Sequence, residues 1–169
     1  MFNIFRKKNY LSREDLENLD DMELEFAINN ALFEYIGDNY RHEYKKIKKL
    51  SKELQYFYAT WSFEAEVNNG GFNQFFFNSS NQFLSECSEG LAYYKANDYL
   101  LLLEDAIKVY NSEIDLHNRV KLKGTIEAFS KSYEETDLND IDDKFYSIDG
   151  SITQFRVEMI RKNLDVYLF

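Results

Sequence analysis

The sequence predicts an all-α protein, a single compact domain of about seven or eight helices over residues 1–169. Three observations support this prediction. Proline, which breaks helix interiors, is absent from all 169 residues. Apolar residues recur at spacings of three and four through much of the chain, as they do on one face of a helix. No segment sustains the apolar and polar alternation of a half-buried strand, so we expect little or no sheet.

Capping residues place the first helices. We expect residues 1–11 to form a flexible or loosely packed N-terminal segment. Ser12 precedes Asp15 by three positions, a capping-box spacing that predicts a helix start. Asp20 fits the N-cap of the next helix, which should stop at Gly37 because glycine readily adopts the left-handed conformation that follows a helix.

The clearest amphipathic pattern lies in the middle of the chain. A stripe of apolar residues from Ile47 to Ala65 recurs at spacings of three and four, and lysines lie off this stripe. This pattern predicts one long helix that ends at residues 68–71. The predicted helices span residues 12–18, 21–36, 44–67, 72–78, 82–96, 98–110, 116–133 and 151–166.

The last predicted helix carries two apolar stripes. Ile152 and Phe155 belong to one stripe, and Val157 and Ile160 belong to another on a different face. A terminal helix with two apolar faces is either central to the core or part of an oligomer interface. The second alternative predicts a homodimer.

Cysteine usage and hydropathy predict a cytoplasmic protein. The only cysteine, Cys87, cannot form an internal disulfide, so the chain needs no oxidising compartment. The charges near the N-terminus follow a very short apolar run, unlike those of a signal peptide. The longest aliphatic run, Leu100 to Leu103, is far too short to span a membrane, so we expect no membrane contact.

The net charge of −10 predicts basic partners and no direct binding to nucleic acid, because phosphates repel carboxylates. Acids concentrate in residues 12–38 and 134–149, whereas residues 41–52 are rich in lysine. Solvated helix ends or loops are the simpler interpretation of the acidic blocks. The alternative is an acidic partner-binding surface. Its candidate residues are Glu14, Asp15, Glu17, Asp20, Asp21, Glu23, Glu25, Glu134, Glu135, Asp137, Asp140, Asp142 and Asp143.

No residue pattern indicates a catalytic centre, so we expect no enzyme activity, no metal site and no cofactor. His42 and His117 lack the spacing of a zinc motif and are best interpreted as surface or core residues. Carboxylates flank Cys87 in the sequence and should raise the pKa of its thiol, which is unfavourable for a nucleophile. Glu64 and Glu66 point in different directions on a helix, so they do not form an acid and base pair.

The most distinctive segment is Asn68-Asn69-Gly70-Gly71, where we expect one helix to stop and another to start. Asn69 or Gly70 should adopt the left-handed conformation, and Gly71 should allow a close backbone approach. The amide side chains around it should bond to unpaired backbone groups. We therefore predict a structural motif. Its residues are Trp61, Asn68, Asn69, Gly70, Gly71, Phe72, Gln74, Phe75 and Asn78.

The same segment carries a family resemblance. Residues 66–72, Glu-Val-Asn-Asn-Gly-Gly-Phe, together with Gln74, Phe75, Phe76 and Asn78, resemble the signature of a bacterial family. An acidic, dimeric, helical DNA-mimic protein typifies that family. The similarity spans about Leu50 to Tyr146. It implies an all-helical fold, dimerisation, no known enzymatic activity and, less directly, DNA mimicry.

Three classes of function remain open. The first is an acidic decoy that sequesters a basic, DNA-binding partner by presenting carboxylates in place of DNA phosphates. The second is an immunity or antitoxin-like protein that neutralises a toxin. The third is an enzyme with a site assembled from distant residues, which a deep pocket holding a carboxylate of strongly raised pKa would favour.

Overall fold

The computed structural model describes residues 11–168. Most of the expected loose segment, residues 1–10, lies outside the described residues. The described part contains ten α-helices and no strand, which confirms the all-α class and corrects the expected number of seven or eight helices. The helices are α1 (Arg13–Glu17), α2 (Asp21–Ile36), α3 (Glu43–Ile47), α4 (Lys52–Phe77), α5 (Leu84–Tyr93), α6 (Asn97–Ser112), α7 (Ile114–Lys123), α8 (Ile126–Ser132), α9 (Asn139–Tyr146) and α10 (Ile152–Lys162).

Local capping chemistry places several helix starts where the sequence predicted them. Ser12 and Asp20 both form complete capping boxes, at the starts of α1 and α2. Ser151 does the same for α10 with Gln154. Gly37 ends α2 with a positive φ of 66°. Each of these contacts joins residues within four positions, so the sequence pattern suffices to predict it.

Two segments predicted as single helices are each divided into two helices in the structure. The predicted helix 44–67 is broken at residues 48–51, where Ser51 caps α4 through a bond from the Leu54 N–H. The predicted helix 116–133 is broken at Gly124, which has a left-handed φ of 59° and ends α7. The apolar spacing continues across both breaks, so periodicity alone does not reveal them.

The helix α9 was missed entirely. The acidic composition of this segment favoured an interpretation as solvated loop or helix end, yet Ile141 and Phe145 lie four residues apart and are buried. Their burial against the core stabilises a short helix that has little helical preference of its own. The predicted helix 151–166 was too long, because α10 ends at Lys162 and a 3₁₀ turn follows at Leu164–Tyr167.

The helix α4 organises the core. It packs against α5, α9 and α10, and its rings Phe57, Phe63 and Phe72 are fully buried. Phe63 meets Phe75 edge-on, with ring centroids 5.1 Å apart. No described helix is long and apolar enough to cross a membrane.

The last helix belongs to the core. Ile152 from one apolar stripe and Val157 and Ile160 from the other are all buried within this single chain, and Phe155 is half-buried. Both stripes therefore have partners in the same protomer. The two apolar stripes of the last helix therefore no longer support a homodimer, and the prediction of a homodimer depends on other features.

Candidate functional site

The Asn-Asn-Gly-Gly corner is a kink inside α4. Gly70 has φ −162° and ψ 29°, and Gly71 has φ 71° and ψ −177°. The positive φ therefore lies at Gly71, and the expectation that Asn69 or Gly70 would adopt it is wrong. A Cβ added at Gly71 would lie 2.1 Å from Asp142 Oδ2, so this position also requires the close approach that only glycine permits.

The kink leaves backbone N–H and carbonyl groups without helical hydrogen bonds. Side chains from the second acidic block and its neighbours bond to these groups instead. The Phe72 N–H donates to Asp142 Oδ1 at 2.7 Å. The Tyr133 hydroxyl donates to the Gly70 carbonyl at 2.7 Å, and the Tyr146 hydroxyl donates to the Val67 carbonyl at 2.6 Å. Since buried backbone groups must be paired, these contacts explain how a break in the middle of the core is stable.

Asp142 is therefore a structural residue, and its assignment to the partner-binding surface is wrong. Its side chain is buried beside the kink. Burial raises the pKa of the Asp142 carboxyl, and the bond from the Phe72 N–H partly opposes that increase.

The amide side chains of the motif bond mainly to one carboxylate. Gln74 Nε2 and Asn78 Nδ2 donate to Glu66 Oε2 at 2.6 and 2.8 Å. Asn69 Nδ2 donates to Gln74 Oε1 at 3.0 Å. The expectation that Gln74 and Asn78 would bond to backbone groups is therefore wrong. Their contacts fix the position of the Glu66 carboxylate.

This carboxylate lines a groove of about 400 Å³ that sequence reasoning missed. The motif was interpreted only as a structural corner, although Trp61, Ala65 and Asn69 follow the four-residue spacing of one helix face. The groove is lined by Phe33, Tyr40, Glu43, Tyr58, Trp61, Ser62, Ala65, Glu66, Asn69, Gln74, Ser79 and Ser80.

The first acidic block is exposed but partly neutralised. Glu17 pairs with Arg13 at 2.6 Å, and Asp21 pairs with Arg161 at 2.8 Å. The carboxylates of Asp15, Asp20 and Glu23 take part in helix capping, and Glu14 is exposed.

Glu25 is the exception in the first block. Its half-buried side chain accepts a bond from the fully buried Arg156 at 2.6 Å, so its assignment to a partner-binding surface is wrong. The neutralising arginines Arg156 and Arg161 lie far away in the sequence, on α10, which is why composition alone did not reveal them.

The second acidic block presents a freer surface. Glu134, Asp137, Asp140 and Asp143 are exposed, and within residues 11–168 none of them makes an ion pair. Glu135 is also exposed and pairs with Arg119. Within residues 11–168, no ion pair joins this block to the first one.

The helix α6 adds acidic residues that the sequence blocks did not include. Asp98, Glu104 and Asp105 are exposed on α6, which packs against α9. Asp105 pairs with Lys108 at 2.7 Å. The packing of α6 on α9 therefore brings further carboxylates to the neighbourhood of the second block.

Three of the six basic residues in the lysine-rich stretch 41–52 bond to other parts of the fold through their side chains. Lys48 pairs with the buried Glu86, and Lys52 pairs with Glu89 at 3.0 Å. Lys46 donates to the Ile36 carbonyl at 2.5 Å. Among residues 11–168, no group of three or more His, Cys, Asp or Glu side chains is placed to hold a metal ion.

Comparison with known proteins identifies a family. The sequence model of the DMP19-like protein family matches residues 48–163, which is more than half of the chain. No curated protein and no solved structure gives a significant match. The matched region contains the kink, the second acidic block and the α4 wall of the groove, whereas the first acidic block precedes it. The chain belongs to the DMP19-like protein family.

Proposed function

We propose that this protein is an acidic decoy that sequesters a basic, DNA-binding protein by presenting carboxylates in place of DNA phosphates. One observation carries the proposal: Glu134, Asp137, Asp140 and Asp143 are exposed, form no ion pair within residues 11–168 and lie inside the family-matched region. Membership in a family named for a DNA mimic supports the same function. The protein acts in the cytoplasm by binding, without catalysis or a cofactor.

These carboxylates form an anionic row that can occupy the phosphate-binding surface of a partner protein. Asp140 and Asp143 lie three residues apart on α9, which places their Cβ atoms about 5–6 Å apart on one helix face. Duplex DNA carries about one charge per 1.7 Å of axis, so a basic cleft evolved for DNA attracts such a row. Asp98 and Glu104 on the neighbouring α6 extend the anionic area.

The test begins with a pull-down from native lysate and mass spectrometry of the captured proteins. Binding of the partner should weaken steeply as salt increases, and duplex DNA should compete for it. The double variant Asp140→Asn with Asp143→Asn should bind more weakly. The matched control, Glu14→Gln with Glu17→Gln, removes two charges from the first block and should bind almost normally.

Two results contradict the proposal. Binding that is insensitive to salt and that DNA does not displace excludes mimicry and favours the immunity or antitoxin-like alternative. If the control variant in the first block loses more partner binding than the Asp140 and Asp143 variant, the partner contacts the first block.

The homodimer also remains a proposal. Leu122 and Ile126 are 88% and 86% exposed, flank the turn at Gly124 and lie within the family-matched region. Light scattering should give a dimer mass for the natural chain and a monomer mass for Ile126→Glu. Phe26→Glu, which changes another exposed apolar residue, outside that region, should stay dimeric. A natural chain that is monomeric at micromolar concentration contradicts the proposal.

A further inference from the structure

The groove beside the kink has aromatic walls from three parts of the chain. Phe33 comes from α2, Trp61 from α4 and Tyr40 from a 3₁₀ turn at Tyr40–His42. Phe33 and Trp61 meet edge-on with centroids 5.6 Å apart, so the two rings hold each other in place. Tyr40 is 57% exposed, which leaves its ring accessible at the rim. Aromatic faces of this kind attract cations.

Glu43 contributes a carboxylate that is nearly buried, with 9% of its surface exposed. Its Oε1 accepts a short bond from the Tyr58 hydroxyl, and its Oε2 has no hydrogen-bond partner among residues 11–168. Burial, reinforced by Glu43, raises the pKa of Tyr58, so the phenol stays protonated and neutral. The Tyr58 hydroxyl orients the carboxylate without neutralising its charge.

Glu66 contributes a second carboxylate, and its hydrogen-bond donors from residues 11–168 are all neutral. Gln74, Asn78 and Ser80 all donate to it, and none carries a charge. No Lys, Arg or His is among the residues from 11–168 that line the groove. Both carboxylates therefore face the groove without a cation from the described part of the chain.

Three other buried or half-buried carboxylates of this fold meet a cation, whereas within residues 11–168 the buried Asp142 meets only the Phe72 N–H. Glu25 and Glu64 share Arg156, and Glu86 pairs with Lys48. An unpaired charge in a poorly solvated site is costly, and a cation placed beside it removes much of that cost. Within residues 11–168, Glu43 and Glu66 lack such a cation, so the groove can accept one from a binding partner.

We propose that this groove binds an arginine or lysine side chain of a basic protein partner; this inference rests on the proposed function. The volume of about 400 Å³ lies in the range of small-ligand pockets. A guanidinium group matches the groove best, because its planar donors bind carboxylates while its face stacks on aromatic rings. Asn69 and Ser62 supply further neutral polar groups at the walls.

The single tryptophan of the chain, Trp61, lines the groove and reports its occupancy by fluorescence. The probe is the tripeptide acetyl-Gly-Arg-Gly-amide, and the matched control peptide carries citrulline, which keeps the shape of arginine without its charge. We expect the arginine peptide to change Trp61 emission in a saturable manner and the citrulline peptide to bind at least tenfold more weakly. Equal binding of the two peptides overturns the inference.

Protein variants locate the site. Glu43→Gln keeps an acceptor for the Tyr58 hydroxyl and should weaken binding of the arginine peptide at least tenfold. Tyr40→Ala changes an exposed rim residue, preserves the fold and should also weaken binding severalfold. Glu127→Gln, an exposed change of the same charge on α8, should have no effect. Circular dichroism checks the folding of each variant. Unchanged binding in Tyr40→Ala and in folded Glu43→Gln overturns the inference.

Two further comparisons separate the sources of the cation and the two proposals. Free arginine should bind more weakly than the peptide, and tighter binding of the free amino acid overturns the assignment to a protein side chain. If the arginine peptide fails to bind while partner capture remains sensitive to salt and to DNA, only the groove inference fails. If the peptide binds as expected and DNA does not displace the partner, only the proposed mimicry fails.

Discussion

Arg156 and Glu25 are joined by a bond of 2.6 Å from the arginine Nε to Glu25 Oε1, across 131 residues of sequence. The arginine side chain is buried, and its Nη2 also donates to Glu64 on α4. Three helices, α2, α4 and α10, therefore meet at one guanidinium. An acid that composition assigned to a partner-binding surface holds the core together instead.

Replacing Arg156 should strongly destabilise the fold. We expect Arg156→Met to lower the free energy of unfolding by about 3–5 kcal/mol, because the carboxylates of Glu25 and Glu64 lose their shared cation. Urea denaturation followed by circular dichroism measures the change. Arg119→Met, which removes an exposed pair with Glu135, should cost no more than about 1 kcal/mol. Equal losses in the two variants contradict this role of Arg156.

The two glycines of the kink should differ in their tolerance of a methyl group. Gly71→Ala meets both a positive φ of 71° and the buried Asp142 carboxylate, so it should be the most destabilising substitution. Gly70→Ala meets mainly the flexible end of Gln74. Gly124→Ala has a positive φ, and its Cβ would make only an ordinary contact with the Lys121 carbonyl at 3.8 Å, so it should cost about 1–2 kcal/mol. Thermal unfolding ranks the three variants, and a mild effect at Gly71 contradicts the proposed constraint.

His117 should make stability fall in mild acid. Burial lowers the pKa of His117 below its ordinary value of 6.5, although Glu113 opposes the shift. The His117 Nε2 lies 3.5 Å from Glu113 Oε2, too far for a strong hydrogen bond, so burial dominates. The unfolded chain then binds a proton more readily, and the contribution of neutral His117 is lost as pH falls from about 6.5 through the lower folded pKa.

Substitution of His117 measures that contribution. Histidine titrates between about pH 7.5 and about pH 5. Urea denaturation across this range should show a smaller loss of stability in His117→Gln than in the natural chain. His42→Gln, at an exposed histidine, serves as the control. An identical pH dependence in His117→Gln and the natural chain excludes His117 as the titrating group.

Cys87 should be unreactive in the folded protein. Its side chain is fully buried, and burial raises the pKa of the thiol, with Glu86 adding to the increase and Arg156 opposing it. Since the thiolate is the reactive form, a thiol-specific dye should react slowly with native protein and rapidly after addition of denaturant. Rapid reaction of the native protein contradicts this burial. The neighbouring acids predicted the direction of this shift, but burial is its larger cause.

The sequence by itself determined the features that depend on nearby residues. Ser12, Asp20 and Ser151 cap helices through side chains only three positions away, and apolar spacing predicted the helical class. The sequence also suggested a bacterial DNA-mimic family, and the family match over residues 48–163 shows the family. Helix capping and amphipathic spacing act within one or two turns, so they are visible without knowledge of the fold.

The tertiary structure decided what each of these residues contacts. Glu25 and Asp142 are acidic in sequence, but bonds across 131 and 70 residues make them structural. The groove exists because Phe33, Tyr40 and Glu43 come to lie against the face of α4 that carries Trp61 and Glu66. Burial and charge pairing depend on which distant segments share a site, and local periodicity contains no information on that choice.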